Sequence, residues 1–541
     1  MRCCSSSGAT WTGRKPAYRR AAERGSVEAF WSLGMLLNER GDLDGAEAAY
    51  RRAGARGSAD ATLSLAKLLY ERKDLDGAEA AYRRAAELGS ADGADLLGSL
   101  LVIRENVQGA EAAYRRAAEL GSAHGAMNLG KLLRAREDLD GAEAALRRAD
   151  DLGSADGANG LAWILRQRGD SVGSEAAARR ADERGSADAA ANLGWLLQER
   201  GDLGGAEAAY RRAEERGNVD SPKLLGDLLN ARGDPQEAEA AYRRAEETGD
   251  VEAAAALGKL LWKRGDLEGA IEASARADGR GSVTGAANLG WLLHERGDLD
   301  GAEAAFRRAD ERGSASGAFG LGWVINQRRD ITGSEAPFRR ADERGDPDGA
   351  HALGAILEAR GEHLEAEAAF RRADQRGSAD GAKRLGDRFR NQGSLRAAEA
   401  AYRRADERGS GDGAADLGWV LHERGELAGA EAAFRRSDER GSAEGAFSLG
   451  LLLSRRRDPQ GAKAAFLRAE ERGSPKVALG LASLMEDDDP AGAEAAYRRA
   501  EAQGLVTASW YLGKLLEAQG DHAGAQAAFQ RAREGGYVHD T

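Results

Sequence analysis

A period of 32 residues governs this chain. The stretch Val283–Ser314, VTGAANLGWLLHERGDLDGAEAAFRRADERGS, recurs with substitutions along nearly the whole length. A period of this size marks stacked supersecondary units, and it restricts the fold more than any compositional quantity does. A leucine at the seventh position, Leu289 here, recurs as Leu33, Leu65, Leu97, Leu129, Leu161, Leu193, Leu225, Leu257, Leu321, Leu353, Leu385, Leu417, Leu449, Leu481 and Leu512. The series defines sixteen repeats. Fifteen have 32 residues, and Pro475–Leu505 has 31, losing one near Asp487–Asp489.

Each repeat reads as two helices. The first is predicted over Thr284 to Arg296, with Gly297 as its stop. Asp298 then caps a second helix, predicted to run to Arg312 and to end at Gly313. Asp234-Pro235, Asp458-Pro459 and Asp489-Pro490 strengthen the cap in their repeats, because proline loses nothing at the first helical position. At 100° per residue, Ala286, Leu289, Gly290, Leu292 and Leu293 share one arc, and Leu299, Ala302, Phe306 and Ala309 share another. These arcs are the expected core. The small residues let helix axes approach, and Leu289, Leu293 and Phe306 fill the space between. Two helices of ~13 residues bury too little alone, so neighbouring repeats must stack.

Leu289-Gly290, Leu293, Ala302, Phe306 and Ala309 fall on the pattern of the tetratricopeptide repeat, which this chain resembles. It departs in three ways: 32 residues instead of 34, alanine for most of the first aromatics, and Gly-Ser for the closing proline. The Gly-Ser ending is similar to Sel1-like repeats. The resemblance implies an all-α, right-handed α-solenoid of about sixteen helix-turn-helix repeats. The organisation expected is a disordered tail over 1–11, a half-repeat of one helix over 12–26, the solenoid over 27–537 and a tail over 538–541. Pro16–Gly25 matches a second helix with no first helix before it. No polar capping helix follows the last repeat, so Leu515, Leu516, Ala525 and Phe529 are expected to leave apolar surface exposed and to promote end-to-end self-association or fraying.

Aromatic residues make up only 6% of the chain and charged residues 31%, so the core must be built of alanine and leucine. No apolar run nears the ~20 residues of a membrane span, and MRCCSSSGAT has no apolar secretory segment. Cys3 and Cys4 are the only cysteines, which points to a reducing cytoplasm. The pair could be acylated or bind metal with a partner chain, or be an inert tail. The arginine-rich, alanine- and glycine-heavy usage resembles that of a GC-rich bacterial genome. Ala178 and Ser274 stand where other repeats carry Tyr, Phe or Leu, and Pro337 sits inside a second helix; these repeats are expected to be weak. WILRQRGDSVGSEAA from Trp163 matches WVINQRRDITGSEAP from Trp323, and Lys223 and Asp227 match Lys383 and Asp387 at the same offset, as a past duplication of five repeats would leave them.

No catalytic constellation stands out. His294 and His422 are each followed by Glu without a second ligand at zinc-binding spacing. GDLDG and GSADG lack the lysine and the strand of a phosphate loop. Neither enzyme activity, cofactor nor metal is expected. The Arg-Arg pairs, such as Arg51-Arg52, Arg83-Arg84, Arg211-Arg212, Arg307-Arg308 and Arg403-Arg404, could hold a phosphate-bearing ligand or nucleic acid as a stripe. Against this, Glu303 and Glu311 flank Arg307 at ion-pair spacing, and the net charge of −12 opposes nucleic acid.

The far side of the first helix is the variable face. By resemblance it lines a groove that binds a protein or peptide partner. Position nine holds Trp163, Trp195, Trp291, Trp323 and Trp419, but Lys67, Lys131, Lys259 and Lys514 elsewhere. Trp262 is at position twelve, and Trp31, Phe319, Phe447 and Trp510 are at position five. Tryptophan turned from a core is enriched at binding hot spots; the alternative is that the rings only stack on one another. The densest cluster spans Val251–Asp346, with Lys259, Lys263, His294, Glu295 and Gln327 on or beside the same strip. A protein-interaction scaffold is the function expected.

Overall fold

In the computed structural model, residues 18–474, 477–486 and 489–537 are described. They are helical with short turns and contain no strand. Helices alternate as the period demands: Val283–Arg296 pairs with Leu299–Glu311, then Ala315–Gln327 with Ile331–Glu343, and so on. The expected boundaries hold to within one residue. Contacts divide the chain into two compact units, one ending at Leu260 and the other starting at Leu261. Within each, sequential helices pack on one another.

Each turn is chemically specified. Gly297 takes the left-handed conformation (φ 86°) and closes the first helix. Asp298 then accepts a hydrogen bond from the Gly301 amide at 2.9 Å, satisfying a donor that a helix start otherwise leaves open. Gly-Ser proves to be a cap as well: the Ser314 hydroxyl accepts from the Gly317 amide at 2.9 Å. The left-handed turn is filled by Lys73, Glu105, Glu137, Arg329 and Arg457 in five repeats, at a strain of roughly 1–2 kcal/mol each.

The core follows the predicted arcs, with Gly285, Ala287 and Asp310 buried beside them. Leu299 is only half-buried, whereas Ala305, outside the arc, is fully buried. Phe306 is wholly buried, and a Cβ on Gly290 would lie 2.5 Å from its ring. The Leu-Gly pair is thus the slot in which the second-helix ring lies. Tyr210, at the position of Phe306 in its own repeat, fills the same slot against Gly194 and is fully buried; burial pushes its phenol up to about 12.

Other expectations are corrected. Asp234 makes no side-chain cap bond; its carboxylate is drawn to Arg232. Pro337 does not interrupt Ile331–Glu343. Its ring is buried, and the carbonyl it deprives belongs to exposed Gly333, where water can satisfy it. Leu515, Leu516 and Ala525 are buried and Phe529 is half-buried, packed with Tyr497 and Leu512, so little apolar surface is left there. In the 31-residue repeat the first helix is described over Val477–Met485. Residues 18–23 are helical. The tail 1–11 with Cys3 and Cys4, the start of the half-repeat at 12–17 and the tail 538–541 lie outside the described residues.

Candidate functional site

The second helices carry the arginines, and many of them are paired with carboxylates. Arg307 pairs with Glu303 four residues before it at 2.7 Å. Arg308 reaches back one repeat to Asp278, with Nη2 at 2.5 Å and Nε at 2.9 Å from Oδ2. Arg312 donates to the other oxygen of Asp278 at 2.7 Å and to the Ser282 carbonyl at 3.2 Å. Asp278 is only 5% exposed. Burial works against its charge, but the hydrogen bonds from Arg308 and Arg312 outweigh it and hold the carboxyl below the usual value. The same clamp joins Asp150 to Arg180 and Arg184, Asp310 to Arg340 and Arg344, and Asp406 to Arg436 and Arg440. Arg328, at the end of a first helix, completes the set by pairing with Asp300 and Glu303 of the preceding repeat. Sequence spacing pointed to partners within one helix. The stronger partner, the aspartate of RRADERG, was missed because it lies thirty residues away.

On the first helices, residues at position twelve meet position thirteen of the next repeat. Trp262 donates from Nε1 to Glu295 at 2.5 Å, and His294 Nε2 meets Gln327 Oε1 at 2.9 Å. His422 meets Arg455 in the same way at 3.2 Å. Trp291 is half-buried, edge-on to Phe306 at 4.9 Å and 6.0 Å from Phe319. Trp419 is half-buried against Phe434 at 5.5 Å. These rings therefore stabilise the stack. Lys259 and Lys263 are exposed. In the first compact unit, Trp163 lies under Arg134 at 4.9 Å and Trp195 under Arg166 at 3.3 Å, the cation–π arrangement of arginine over indole.

Trp323 is set apart by its neighbours and not by its exposure, which at 41% is no greater than that of Trp163 at 43% or Trp262 at 45%. It lies beside Phe319 at 6.0 Å, which in turn contacts buried Phe338 at 5.9 Å. Together they form one wall of an open recess of about 600 Å³. Ala352, Ala355, Ile356 and Ala359 of the following first helix form the floor, and Ile331 closes one edge. His351, Asp348 and Asp380 supply the polar rim. His351 is half-buried, 5.9 Å from the Phe370 ring. Burial, reinforced by the charge of Arg384 and opposed by Asp380 and Asp348, holds its pKa below the ordinary histidine value. Burial and the charges of Asp346 and Asp380 push Asp348 up. Of the residues predicted for the site, Phe319 and Trp323 line this recess. The floor, His351 and Asp348 lie one repeat beyond the predicted cluster and Asp380 two repeats beyond, and they were missed. Their signal was present: position nine, bulky in Trp291 and Trp323, drops to Ala355.

A stack of paired helices with variable residues on one face defines a helical repeat protein. The chain belongs to the tetratricopeptide repeat family, whose model matches residues 15–59, 191–251, 223–283, 255–318, 287–350, 383–445 and 482–537, more than half of the chain. No curated protein matches it in sequence. Among solved structures it is similar to c5321, a protective antigen of uropathogenic Escherichia coli strains with an SLR fold, at 21% identity and a TM-score of 0.43 over 73% of this chain and 93% of that one. A Sel1 repeat protein from Oxalobacter formigenes matches at 21% identity and 0.36, over 40% of this chain and 99% of its own. The APC/C hetero-tetramer Cut9-Hcn1 matches at 13% identity and 0.36, over 79% and 96%. No described helix is long and apolar enough to cross a membrane.

Proposed function

We propose that the protein is a non-enzymatic interaction scaffold that binds a protein or peptide along the variable face of its first helices, with Trp323 and Phe319 as the apolar anchor. The observation that carries this is the 41% exposed Trp323 set at the edge of a preformed recess. An exposed indole beside an apolar hollow is the usual form of a hot spot, where the partner's side chain excludes water from a ring already held in place. The rival, an arginine stripe for phosphate, is disfavoured because Arg307, Arg308 and Arg312 already have carboxylate partners; a phosphate would have to displace Glu303 and Asp278.

A photo-crosslinking residue at position 323 tests the proposal, with one at Arg307 on the second helix as the control. Partner adducts are expected from 323 and not from 307. Adducts from 307 alone, with complexes that dissociate steeply as salt rises, would favour the arginine stripe.

A further inference from the structure

The recess has two features that the remainder of the face does not combine. Its floor is hollow at positions nine and thirteen, because Ala355 and Ala359 stand where the preceding repeat places Trp323 and Gln327. Its rim carries two exposed carboxylates, Asp348 and Asp380, each at the second position of its repeat. Neither has an ion-pair partner among the described residues. That contrasts with Asp278, Asp300 and Glu303 nearby, all of which hold arginines. The charge of Asp380 adds to the pressure that raises the Asp348 pKa, which a bound cation would relieve. Arg384 is close enough to act on His351 but bridges to neither aspartate. With His351 neutral, two carboxylates against one guanidinium leave the rim negative.

We infer that this recess takes an apolar side chain of a peptide segment that carries a lysine or arginine within a residue or two of it, an assignment that rests on the peptide-binding function proposed above. The apolar group fills the hollow between Trp323 and Ala355, and the neighbouring cation lies between Asp348 and Asp380. Specificity follows from sign: an acidic segment would add negative charge to a rim whose two carboxylates Arg384 offsets only in part. The recess therefore selects basic-apolar segments, and the same charges disfavour a nucleic-acid backbone.

The test uses the full-length chain and a displayed library of random dodecapeptides. Selection is run in parallel against Ala355→Trp and against Asp348→Asn/Asp380→Asn. Ala355→Trp fills the hollow with a residue that position nine already accommodates in five other repeats, and the asparagine pair keeps the shape without the charge. Helical content of each variant is checked by circular dichroism. Enrichment is expected for peptides in which an aliphatic or aromatic residue adjoins Lys or Arg. Affinity, read by fluorescence anisotropy of labelled winners, should fall at least tenfold on either variant. Winners that bind Ala355→Trp as well as the unmodified chain, or that are acidic, would overturn the assignment but leave groove binding standing elsewhere on the face. No enrichment on any of the three proteins would overturn both. Should Ala355→Trp lose its helical signal, the asparagine pair decides: undiminished binding to it refutes the charged rim.

Discussion

Trp163 and Trp323 begin nearly the same sequence, 160 residues apart, yet they sit in different surroundings. At the first, the ring slot of the second helix holds Ala178, the indole is covered by Arg134, and the next position nine is Trp195 under Arg166. At the second, Phe338 fills the slot, and Phe319 bridges it to Trp323. The preceding position twelve is His294, engaged with Gln327, and the next position nine is Ala355. Both indoles are about equally exposed, at 43% and 41%, but one has a guanidinium over its ring and the other borders an open hollow. A repeat's own sequence therefore builds its helices, while the repeats on either side decide what its exposed ring meets.

The largest effect should come from converting the second copy towards the first. Phe338→Ala empties a fully enclosed slot and should cost about 3–5 kcal/mol, read as lost amide-exchange protection in Ala315–Gln327 and Ile331–Glu343. Without any substitution, the repeats of Ala178 and Ser274 should open before those of Tyr210 and Phe306. The buried Ser274 hydroxyl has no hydrogen-bond partner among the described residues, which adds to the missing ring. Equal protection across all four would show that the slot does not set local stability.

Next in size is binding. Trp323→Ala should weaken a groove partner by about 2 kcal/mol or more with the helical signal intact, whereas Trp163→Ala should matter less, since Arg134 already lies over one face of that ring. Should Trp323→Ala unfold its repeat and spare binding elsewhere, the ring was structural.

A smaller difference separates the turns. Gly169 in the first copy has φ 79°, and Arg329 occupies the equivalent turn in the second with φ 65°. Replacing Arg329 by Gly should stabilise by up to about 1 kcal/mol, because glycine removes the Cβ strain but gains unfolded-state entropy. Thermal midpoints of the two proteins measure it, and a lower midpoint for the variant would contradict it.

The smallest effect should be the pH response of His351. The equivalent position in the repeat after Trp163 is Ala191, so the first copy has no titrating group there. Burial lowers the His351 pKa, so the folded state favours the neutral ring. Stability from this residue is therefore fully present above the unfolded value of about 6.5 and is lost as pH falls below it towards the folded value. His351→Ala should flatten that acid limb, measured as unfolding midpoint against pH. The clamp aspartates answer at lower pH: Asp278 and Asp310 have depressed values, so their contribution is complete above the ordinary aspartate value and fades as pH falls through the folded one. A limb unchanged by His351→Ala would mean that the ring is as accessible folded as unfolded.

Much of the fold was legible in the residues. Gly297, Asp298 and Gly313 marked the turns, because caps act over three or four residues and so leave a local signature. Phe306 and Tyr210 were recognisable as core from helical spacing alone. Leu299 was not, since its place at the start of the second helix leaves it beside solvent although its angle is right. Of the recess lining, Phe319 and Trp323 were legible because large rings opposite the core arc are conspicuous. The hollow was missed because it is made by what Ala355 and Ala359 lack, and a small residue draws notice only when its neighbours in space are known.

By itself, then, the sequence determined the period, the two helices of each repeat, their caps and the ring-and-glycine slot that packs them, all of which depend on residues within one turn or one helical pair. Only the tertiary structure decided that Asp278 would clamp Arg308 and Arg312, that Trp262 would reach Glu295, and that the face would open beside Trp323. Those contacts join residues about one repeat apart, and their register is set by how one helical pair stacks on the next. That offset is a property of packed surfaces in three dimensions, and the linear period, identical for any stacking angle, does not contain it.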